Sequence, residues 1–267
     1  MTEVKHDYAA LLALAAEVAA EAHALGRRMR DHGVDVADTK TSLTDVVTAA
    51  DHAVQALIRE RLLAARPDDG FLGEEGGRRD SVSGIRWVVD PIDGTVNYLY
   101  DIDQWAVSIA AETSEEVVAG VVHGANGDVY TATRGGGSFL GSRRLSVRPS
   151  PPMGQRLIHT GFNYQPEVRA RQGEYVAALL THVRDVRRMG SSALDICMVG
   201  AGRGDGYVEE CVHHWDRAAA LLVATEAGAD FELLTTPSGN ELTVCSPADG
   251  HREFVRILGE CGFIGNT

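Results

Sequence analysis

The sequence predicts a layered α/β protein in which helices cover β-sheets. Apolar residues recur at helical spacing from about Val4 to Arg30. The middle of the chain changes to short apolar runs separated by turns, and the last part alternates between strand-like and helix-like segments. Closely spaced strands with short turns indicate an antiparallel sheet covered by the early helices, whereas the alternation indicates a layered α/β half.

The first half of the chain combines helices with this sheet. One helix spans about 4–30, and the next begins near Ala50 and Asp51 and ends at the turn Pro67–Gly70. Strands are predicted at 85–89, 106–110, 117–122, 128–131 and 137–140.

A proline-rich segment divides the chain. Pro149, Pro151 and Pro152 mark a seam between two halves, 1–149 and 150–267, of a single domain. Beyond the seam we predict strands near 156–160, 206–209 and 243–246, and helices near 166–182, 192–201, 215–228 and 248–259.

Composition excludes several classes of function. The 267 residues carry a net charge of −13, and such a protein repels nucleic acid and anionic membranes as main partners. An anionic small substrate then requires bound cations. The four cysteines form no CxxC pair, which is typical of reduced thiols in a cytoplasmic protein. The apolar run Tyr8–Ala16 is shorter than the ~20 residues of a membrane span, so we expect a soluble protein.

The most informative segment is Asp90-Pro91-Ile92-Asp93-Gly94-Thr95, which follows the apolar run 87–89. We expect the strand to end at Asp90, because Pro91 lacks the N–H of a strand ladder. A turn at Asp93 then leads into a short helical segment, whose backbone N–H groups can bind an anion. Carboxylates beside an anion site are suited to Mg²⁺. An ordinary turn with solvated aspartates is the alternative.

Further acids could complete a metal site. Glu74 follows a short apolar run in a glycine-rich turn, where it is either a ligand or a solvated loop residue. Asp216 begins an alanine-rich helix and is explained as a cap or as a ligand. The polar residues from Thr44 to Asp51 are typical of a helix start.

Three other segments resemble known functional motifs but lack a feature that each motif requires. The glycine-rich segment 200–206 follows a helix and precedes a strand, the reverse of a dinucleotide-binding loop. His213 and His214 are adjacent and point in different directions, which argues against joint metal ligation. Asp101-Ile102-Asp103 lacks the small hydroxyl residue of a haloacid-dehalogenase motif, since Trp105 stands in that place.

Taken together, the motifs resemble those of the inositol monophosphatase family of Mg²⁺-dependent, lithium-sensitive phosphatases. The resemblance covers nearly the whole chain and looks closest to the bacterial SuhB-like branch, and the excess of arginine over lysine suits an actinobacterial source. The matching segments, in family order, are 45–51, 73–75, 90–95, 190–195 and 215–219.

The resemblance implies a fold of five layers, αβαβα, a homodimer and a Mg²⁺ site. By the family pattern, the metal ligands are the carboxylates of Glu74, Asp90, Asp93 and Asp216 and the carbonyl of Ile92. About two or three Mg²⁺ would neutralise these acids. The implied mechanism is direct attack by a metal-activated water, without a phosphoenzyme.

The resemblance also assigns roles around the reacting phosphate. Glu74 and Thr95 position the water and help to remove its proton, and Asp51 hydrogen-bonds Thr95. The amides of Gly94 and Thr95 hold the phosphate.

The remaining family positions concern the substrate. The substrate-binding set is Glu74, Ile92, Asp93, Gly94, Thr95, Arg187, Ser192, Glu209 and Asp216, with Lys40 on a mobile loop. The expected substrate is myo-inositol monophosphate. Histidinol phosphate, fructose 1,6-bisphosphate and phosphoadenosine phosphate are alternatives, because 209–214 departs from typical members beside the substrate hydroxyls. A catalytically silent binding or regulatory protein is a further alternative.

Overall fold

The computed structural model describes residues 6–33, 36–39 and 46–265. Its α-helices are α1 (Tyr8–Asp31), α2 (Ala49–Ala65), α3 (Thr95–Leu99), α4 (Pro166–Leu179), α5 (Ser192–Gly200), α6 (His214–Glu226) and α7 (His251–Glu260). Its strands are β1 (Val36–Thr39), β2 (Val46–Thr48), β3 (Gly70–Gly73), β4 (Arg86–Asp93), β5 (Ala106–Glu112), β6 (Val117–Gly124), β7 (Val129–Thr133), β8 (Gly137–Leu140), β9 (Arg143–Arg144), β10 (Leu157–Thr160), β11 (Asp185–Arg187), β12 (Gly206–Glu210), β13 (Ala229–Thr235) and β14 (Glu241–Pro247).

The strands form two main sheets. The seven-stranded sheet has the order β3-β4-β5-β6-β7-β8-β9 and is antiparallel except for the parallel pair β3 and β4. The five-stranded sheet has the order β11-β10-β12-β14-β13, with parallel pairs at β10 and antiparallel pairs at β14. In addition, β1 and β2 form a two-stranded sheet.

Three apolar clusters pack the helices against the two main sheets, and the result is a stack of five layers. The first cluster packs α1 and α2 on one face of the seven-stranded sheet. The second packs α5 and α6 between the two main sheets, and the third packs α4 and α7 on the far face of the five-stranded sheet. Because side chains alternate along a strand, Trp87 and Val89 belong to the first cluster and Val88 to the second. The expected αβαβα order is confirmed.

The second cluster contains residues from both sequence halves. Val88 and Val122 of the large sheet lie in it with Leu222 of α6 and Tyr207 of β12. Helix α6 packs closely on the large sheet, because a Cβ on Gly120 would lie 2.9 Å from the Cα of Ala219. The single domain and the boundary at 149/150 both stay predictions.

Helix α1 follows from the helical spacing of its apolar residues. The Asp7 carboxylate caps it by accepting a hydrogen bond from the N–H of Ala10 at 3.1 Å. By length and composition α1 could also span a membrane. Its buried stripe of Leu11, Val18 and Ala22 instead packs on the large sheet, as in a core helix.

Strand β4 corrects one expectation. The strand does not end at Asp90 but continues through Pro91 to Asp93. Its pairing with β5 is irregular between these aspartates: Asp90 pairs with Ser108 and Asp93 with Ala106. Because Pro91 cannot donate a ladder hydrogen bond, the strand passes it through this irregularity rather than by stopping.

Candidate active site

The predicted ligands meet in a cleft of about 400 Å³. The end of β4, the start of α3, the N-terminal ends of α5 and α6 and the end of β12 form its walls. Its acidic lining residues are Glu74, Asp90, Asp93, Asp195, Glu209, Glu210 and Asp216. Five of these seven acids were predicted from the sequence, and Asp195 and Glu210 were not.

A larger groove of about 710 Å³ lies elsewhere on the molecule. Its floor includes the apolar residues Leu221 and Leu222 of α6 and Phe231 and Leu233 of β13. It contains none of the predicted site residues, so we place the chemistry in the smaller, acidic cleft.

The turn between β4 and α3 requires glycine at position 94. Gly94 has φ +94°, in the left-handed region. A Cβ there would lie 2.9 Å from the carbonyl oxygen of Gln104 and 3.0 Å from that of Gly190. Thr95 then begins α3, where first-turn amides have no acceptor within the helix. The expected short helical segment after the turn is confirmed.

Asp93 is held by the start of α5. The Ser191 hydroxyl and the Ala193 N–H donate to its Oδ2 atom, the latter at 2.8 Å, and the Ser192 N–H donates to Oδ1 at 3.3 Å. Burial raises the pKa of Asp93 to about 7, although the bonds from Ser191 and Ala193 oppose that rise.

Asp90 and Asp216 are also buried acids in the cleft. Burial, and then the charges of Glu74 and Asp93, raise the pKa of each well above its usual range. Asp90 is fixed by the N–H of Ile92, which donates to its Oδ1 at 3.0 Å. Asp216 accepts a hydrogen bond from the N–H of His213 at 2.9 Å, so it caps α6 and also faces the cleft.

The donor set suits a divalent cation. The charged groups that act most strongly on Asp90, Asp93 and Asp216 are other carboxylates. Buried charges without a compensating partner are costly, and hard oxygen donors are those that Mg²⁺ prefers. As the side chains lie, the described residues contain no group of three or more His, Cys, Asp or Glu able to hold a metal.

Thr95 contacts Asp51 below the cleft. Its hydroxyl lies 3.1 Å from the carbonyl oxygen of Ile92 and 3.3 Å from Oδ1 of Asp51, and it can donate to either. The Thr48 N–H and hydroxyl donate to Oδ2 of Asp51 at 2.8 and 2.5 Å. Burial raises the pKa of Asp51 to about 6. Asp51 thus both caps α2 and contacts Thr95.

Glu209 and Ser192 lie together on another wall. Oε2 of Glu209 accepts hydrogen bonds from the Tyr207 hydroxyl at 2.8 Å and from the Ser192 hydroxyl at 3.3 Å. Burial raises the pKa of Glu209 to about 7. This wall therefore offers hydroxyl and carboxyl groups to a polar ligand.

Arg187 is not in the cleft. It lies on the edge strand β11, where its guanidinium donates to Oδ2 of Asp185 at 2.6 Å and to the carbonyl of Val186 at 2.9 Å. The next residue, Arg188, lines the cleft instead. Consecutive side chains in extended backbone point to opposite sides, so a shift of one residue moves the guanidinium to another surface. Lys40 and the residues 41–45 lie outside the described part of the chain.

The chain resembles known proteins over most of its length. The sequence model of the inositol monophosphatase family matches residues 4–253. The chain belongs to the inositol monophosphatase family. It is therefore a phosphatase, and the predicted resemblance is confirmed.

Two similar sequences and one solved structure illustrate the relationship. Inositol-1-monophosphatase SuhB of Mycobacterium tuberculosis is 42% identical over 271 aligned residues, covering 94% of this chain and 93% of that protein. The solved structure of Mycobacterium tuberculosis SuhB has a TM-score of 0.84 at 38% identity and covers 97% of this chain and 100% of that chain. A protein named Nus factor SuhB, from Xylella fastidiosa, is 39% identical over 201 residues, or 73% of each chain.

Asp195 and Arg188 are among the lining residues of the cleft that were not predicted from the sequence. Asp195 stands in the matching segment 190–195 but received no role; its Oδ1 atom lies 3.1 Å from Nδ1 of the buried His159. Arg188 was passed over for its neighbour. A charged residue two positions before the pair Gly190-Ser191 is the signal that could have drawn attention to Arg188.

Proposed function

We propose that this phosphatase is a Mg²⁺-dependent phosphomonoesterase whose preferred substrate is myo-inositol monophosphate. The observation that carries this proposal is the cluster of buried carboxylates beside the Gly94 turn. An acidic protein can accept a phosphate ester only where local positive charge offsets its field. Buried acids that repel one another are suited to binding metal ions, and the bound ions would supply that positive charge.

The proposed metal ligands are the carboxylates of Glu74, Asp90, Asp93 and Asp216 and the carbonyl oxygen of Ile92. All five residues line the cleft. When bound, Mg²⁺ supplies positive charge for the phosphate and makes a water molecule more acidic.

The chain's own groups then handle the water and its proton. If the Thr95 hydroxyl donates to Asp51, its lone pairs can accept a hydrogen bond from a water in the cleft. Glu74 provides a carboxylate on the same cleft to take up the proton of that water. Asp51 is anchored by Thr48 and so fixes the orientation of Thr95.

The phosphate is assigned to the β4–α3 turn. The amides of Gly94 and Thr95 have no acceptor within α3 and lie at the cleft, where they can donate to phosphate oxygens. Position 94 carries no side chain that could cover these amides, since a Cβ there would lie only 3.0 Å from the carbonyl oxygen of Gly190.

The alcohol portion is assigned to Ser192 and Glu209. Their hydroxyl and carboxyl groups match a ring that presents several hydroxyls, which favours inositol phosphate. Histidinol phosphate, fructose 1,6-bisphosphate and phosphoadenosine phosphate share the reacting group, so they stay alternatives within the same chemistry.

Three further properties, expected from the family resemblance and the sequence, are carried over as proposals. We expect a homodimer, sensitivity to Li⁺ and a cytoplasmic location. The exposed Tyr100 and Ile102, on the loop before β5, offer an apolar surface for a second subunit.

A binding or regulatory role is a second candidate. It is favoured by the relative that carries the name Nus factor. The presence of Glu74, Asp90, Asp93, Thr95 and Asp216 around one cleft favours the enzyme, because a silent binding protein has no need of them.

The test is phosphate release from inositol 1-phosphate, histidinol phosphate, fructose 1,6-bisphosphate and phosphoadenosine phosphate, with and without Mg²⁺. We expect Mg²⁺-dependent turnover with the highest kcat/KM for inositol 1-phosphate. A higher kcat/KM for another member would retain the chemistry and replace the substrate. Binding of Mg²⁺ without turnover of any of them would favour the regulatory candidate.

A further inference from the structure

Arg188 is a positive charge in an otherwise acidic cleft. Among the described residues that line the cleft, it is the one arginine or lysine, beside seven carboxylic acids. Its side chain is exposed, and it forms no hydrogen bond or ion pair with another described residue. A guanidinium presents five N–H donors in a fixed fork. Those donors are available to a ligand.

Several other arginines of the molecule form hydrogen bonds to carboxylates. Arg187 is bonded to Asp185, and Arg86 donates to Oε1 of Glu112 at 2.6 Å. Arg66 donates to Oδ2 of Asp69 at 2.5 Å. These guanidinium groups already have carboxylate partners, whereas Arg188 lies near acids without pairing with them.

The charges around Arg188 place it at the alcohol end of the cleft. Burial raises the pKa of Asp195 and of Glu209, and the positive charge of Arg188 opposes both rises. Arg188 is not among the main groups that act on Asp90, Asp93 or Asp216. A guanidinium nitrogen of Arg188 would lie 2.7 Å from a Cβ on Gly190, so the group lies beside the start of α5, whose Ser192 hydroxyl bonds Glu209.

An acidic wall at the alcohol end repels any further anionic group on a substrate. Glu209 and Asp195 both line the cleft, and both feel the charge of Arg188. A free guanidinium beside them offsets that repulsion and offers paired N–H donors to phosphate or carboxylate oxygens. An uncharged polyol gains less from it, because bonds to ionised acceptors are about twice as strong as neutral ones.

We propose that Arg188 binds a second anionic group on the alcohol portion of the substrate. The substrate class is thereby widened to phosphate esters that carry a further phosphate or a carboxylate, such as sugar bisphosphates. This inference rests on the proposed function, since it assumes that the reacting phosphate occupies the Gly94 turn.

The test compares a bisphosphate with the monophosphate that shares its reacting group. The value of kcat/KM is measured for fructose 1,6-bisphosphate and fructose 1-phosphate, with inositol 1-phosphate as the test of the proposed function. The variants are Arg188→Gln and Arg187→Gln, and Arg184→Gln, exposed and outside the cleft lining, is the control for loss of a surface charge.

We expect Arg188→Gln to lower kcat/KM for the bisphosphate roughly 10- to 100-fold and for either monophosphate less than roughly 3-fold. The ratio between the two fructose substrates should be unchanged in Arg187→Gln and Arg184→Gln. An equal loss for all substrates, no loss for any, or a loss in Arg187→Gln instead would each overturn the assignment. So would a wild-type enzyme that hydrolyses inositol 1-phosphate but not fructose bisphosphate.

A failure of the proposed function can be distinguished from a failure of the role proposed for Arg188. If wild-type protein hydrolyses none of the three substrates, calorimetric titration with the same fructose pair still decides the role of Arg188. Binding of the bisphosphate that is weakened at least roughly 10-fold by Arg188→Gln, with the monophosphate unaffected, supports the role. Equal binding by wild type and Arg188→Gln contradicts it.

Discussion

The Ser191 hydroxyl donates a hydrogen bond to the Asp93 carboxylate, although the two residues are 98 positions apart in the chain. Asp93 ends a strand of the large sheet, and Ser191 caps the helix α5 that lies between the sheets. The geometry of one proposed metal ligand therefore depends on the packing of both sequence halves. Ser191 was not among the predicted site residues, because no local pattern reveals a contact of this range.

Replacing Ser191 by alanine should weaken Mg²⁺ activation. The substitution removes a donor to Asp93 and the cap that accepts the N–H of Leu194 at 3.3 Å. We expect a loss of about 1–2 kcal/mol in the free energy of unfolding. The Mg²⁺ concentration for half-maximal activity should rise roughly tenfold if about 1.4 kcal/mol is lost from metal binding. Ser191→Thr keeps the hydroxyl and should restore both values; unchanged Mg²⁺ dependence in Ser191→Ala would contradict this role.

Replacing Asp216 by asparagine should stabilise the metal-free protein. Asparagine keeps an oxygen to accept the N–H of His213 but removes one charge from a group of acids that raise one another's pKa. In the presence of chelator, Tm should rise by roughly 2–4 °C for each kcal/mol of repulsion removed. The Tm increase that Mg²⁺ gives the wild type should shrink.

The control for Asp216→Asn is Asp80→Asn, whose side chain is 93% exposed. It should leave the Tm with and without Mg²⁺ unchanged. A metal-free Asp216→Asn protein that is less stable than wild type, with its full response to Mg²⁺, would show that Asp216 acts only as a helix cap.

Replacing Gly94 by alanine should disrupt the β4–α3 turn. The added Cβ would approach the carbonyl oxygens of Gln104 and Gly190, and the residue would stay at positive φ. We expect a loss of more than about 2 kcal/mol in stability and at least roughly tenfold in kcat.

The substitution Gly127→Ala separates the effect of positive φ from the effect of the Cβ contacts. Gly127 has φ +86° and open space around the position of a Cβ, so alanine there tests backbone strain alone. Its cost should be about 1 kcal/mol, without loss of activity. Equal effects of the two substitutions, measured by denaturant unfolding, would exclude a special constraint at Gly94.

His23 should make the folded protein less stable in acid. Its ring stacks on that of His123 at 4.2 Å, and burial, followed by the charge of His123, lowers its pKa from 6.5 to about 4. Between these pH values the unfolded chain binds the proton that the folded protein excludes. The free energy of unfolding contributed by His23 is therefore full above pH 6.5 and falls as the pH drops towards 4.

His23→Phe keeps a ring for stacking but cannot titrate. Denaturant unfolding of both proteins at several pH values should show a shallower fall for the variant. The ring is about half buried, so we expect a difference of at most about 1–2 kcal/mol near pH 4. Parallel pH curves for the two proteins would contradict the assignment.

The elements that local patterns determine were predicted well. The spacing of Leu11, Val18 and Ala22 predicted α1, and the elements predicted after the seam occur in the predicted order. Strands β11 and β13 were not predicted. Short strands such as β9 and β11 carry too few residues for an alternation to show, and they exist because neighbouring strands supply hydrogen-bond partners. Helix α7 begins at His251 rather than at Ala248, because 248–250 forms a 3₁₀ turn.

In the candidate site, too, local features could be predicted and features that depend on distant contacts could not. The turn 90–95 is local, so its chemistry could be inferred from the sequence, although the passage of β4 through Pro91 could not. Asp216 had two interpretations, cap and ligand, and the structure supports the first while placing the residue where the second is possible. The choice between Arg187 and Arg188 depends on how β11 pairs at the sheet edge, which no spacing specifies.

The most direct test is the initial rate of phosphate release from inositol 1-phosphate as Mg²⁺ is titrated, with wild type and Asp93→Asn compared. We predict a rate that rises from zero with Mg²⁺ in the wild type and stays at least roughly 100-fold lower in the variant, which remains folded. Near-wild-type turnover by Asp93→Asn, or wild-type turnover that is unaffected by removing Mg²⁺, would contradict the proposed metal site.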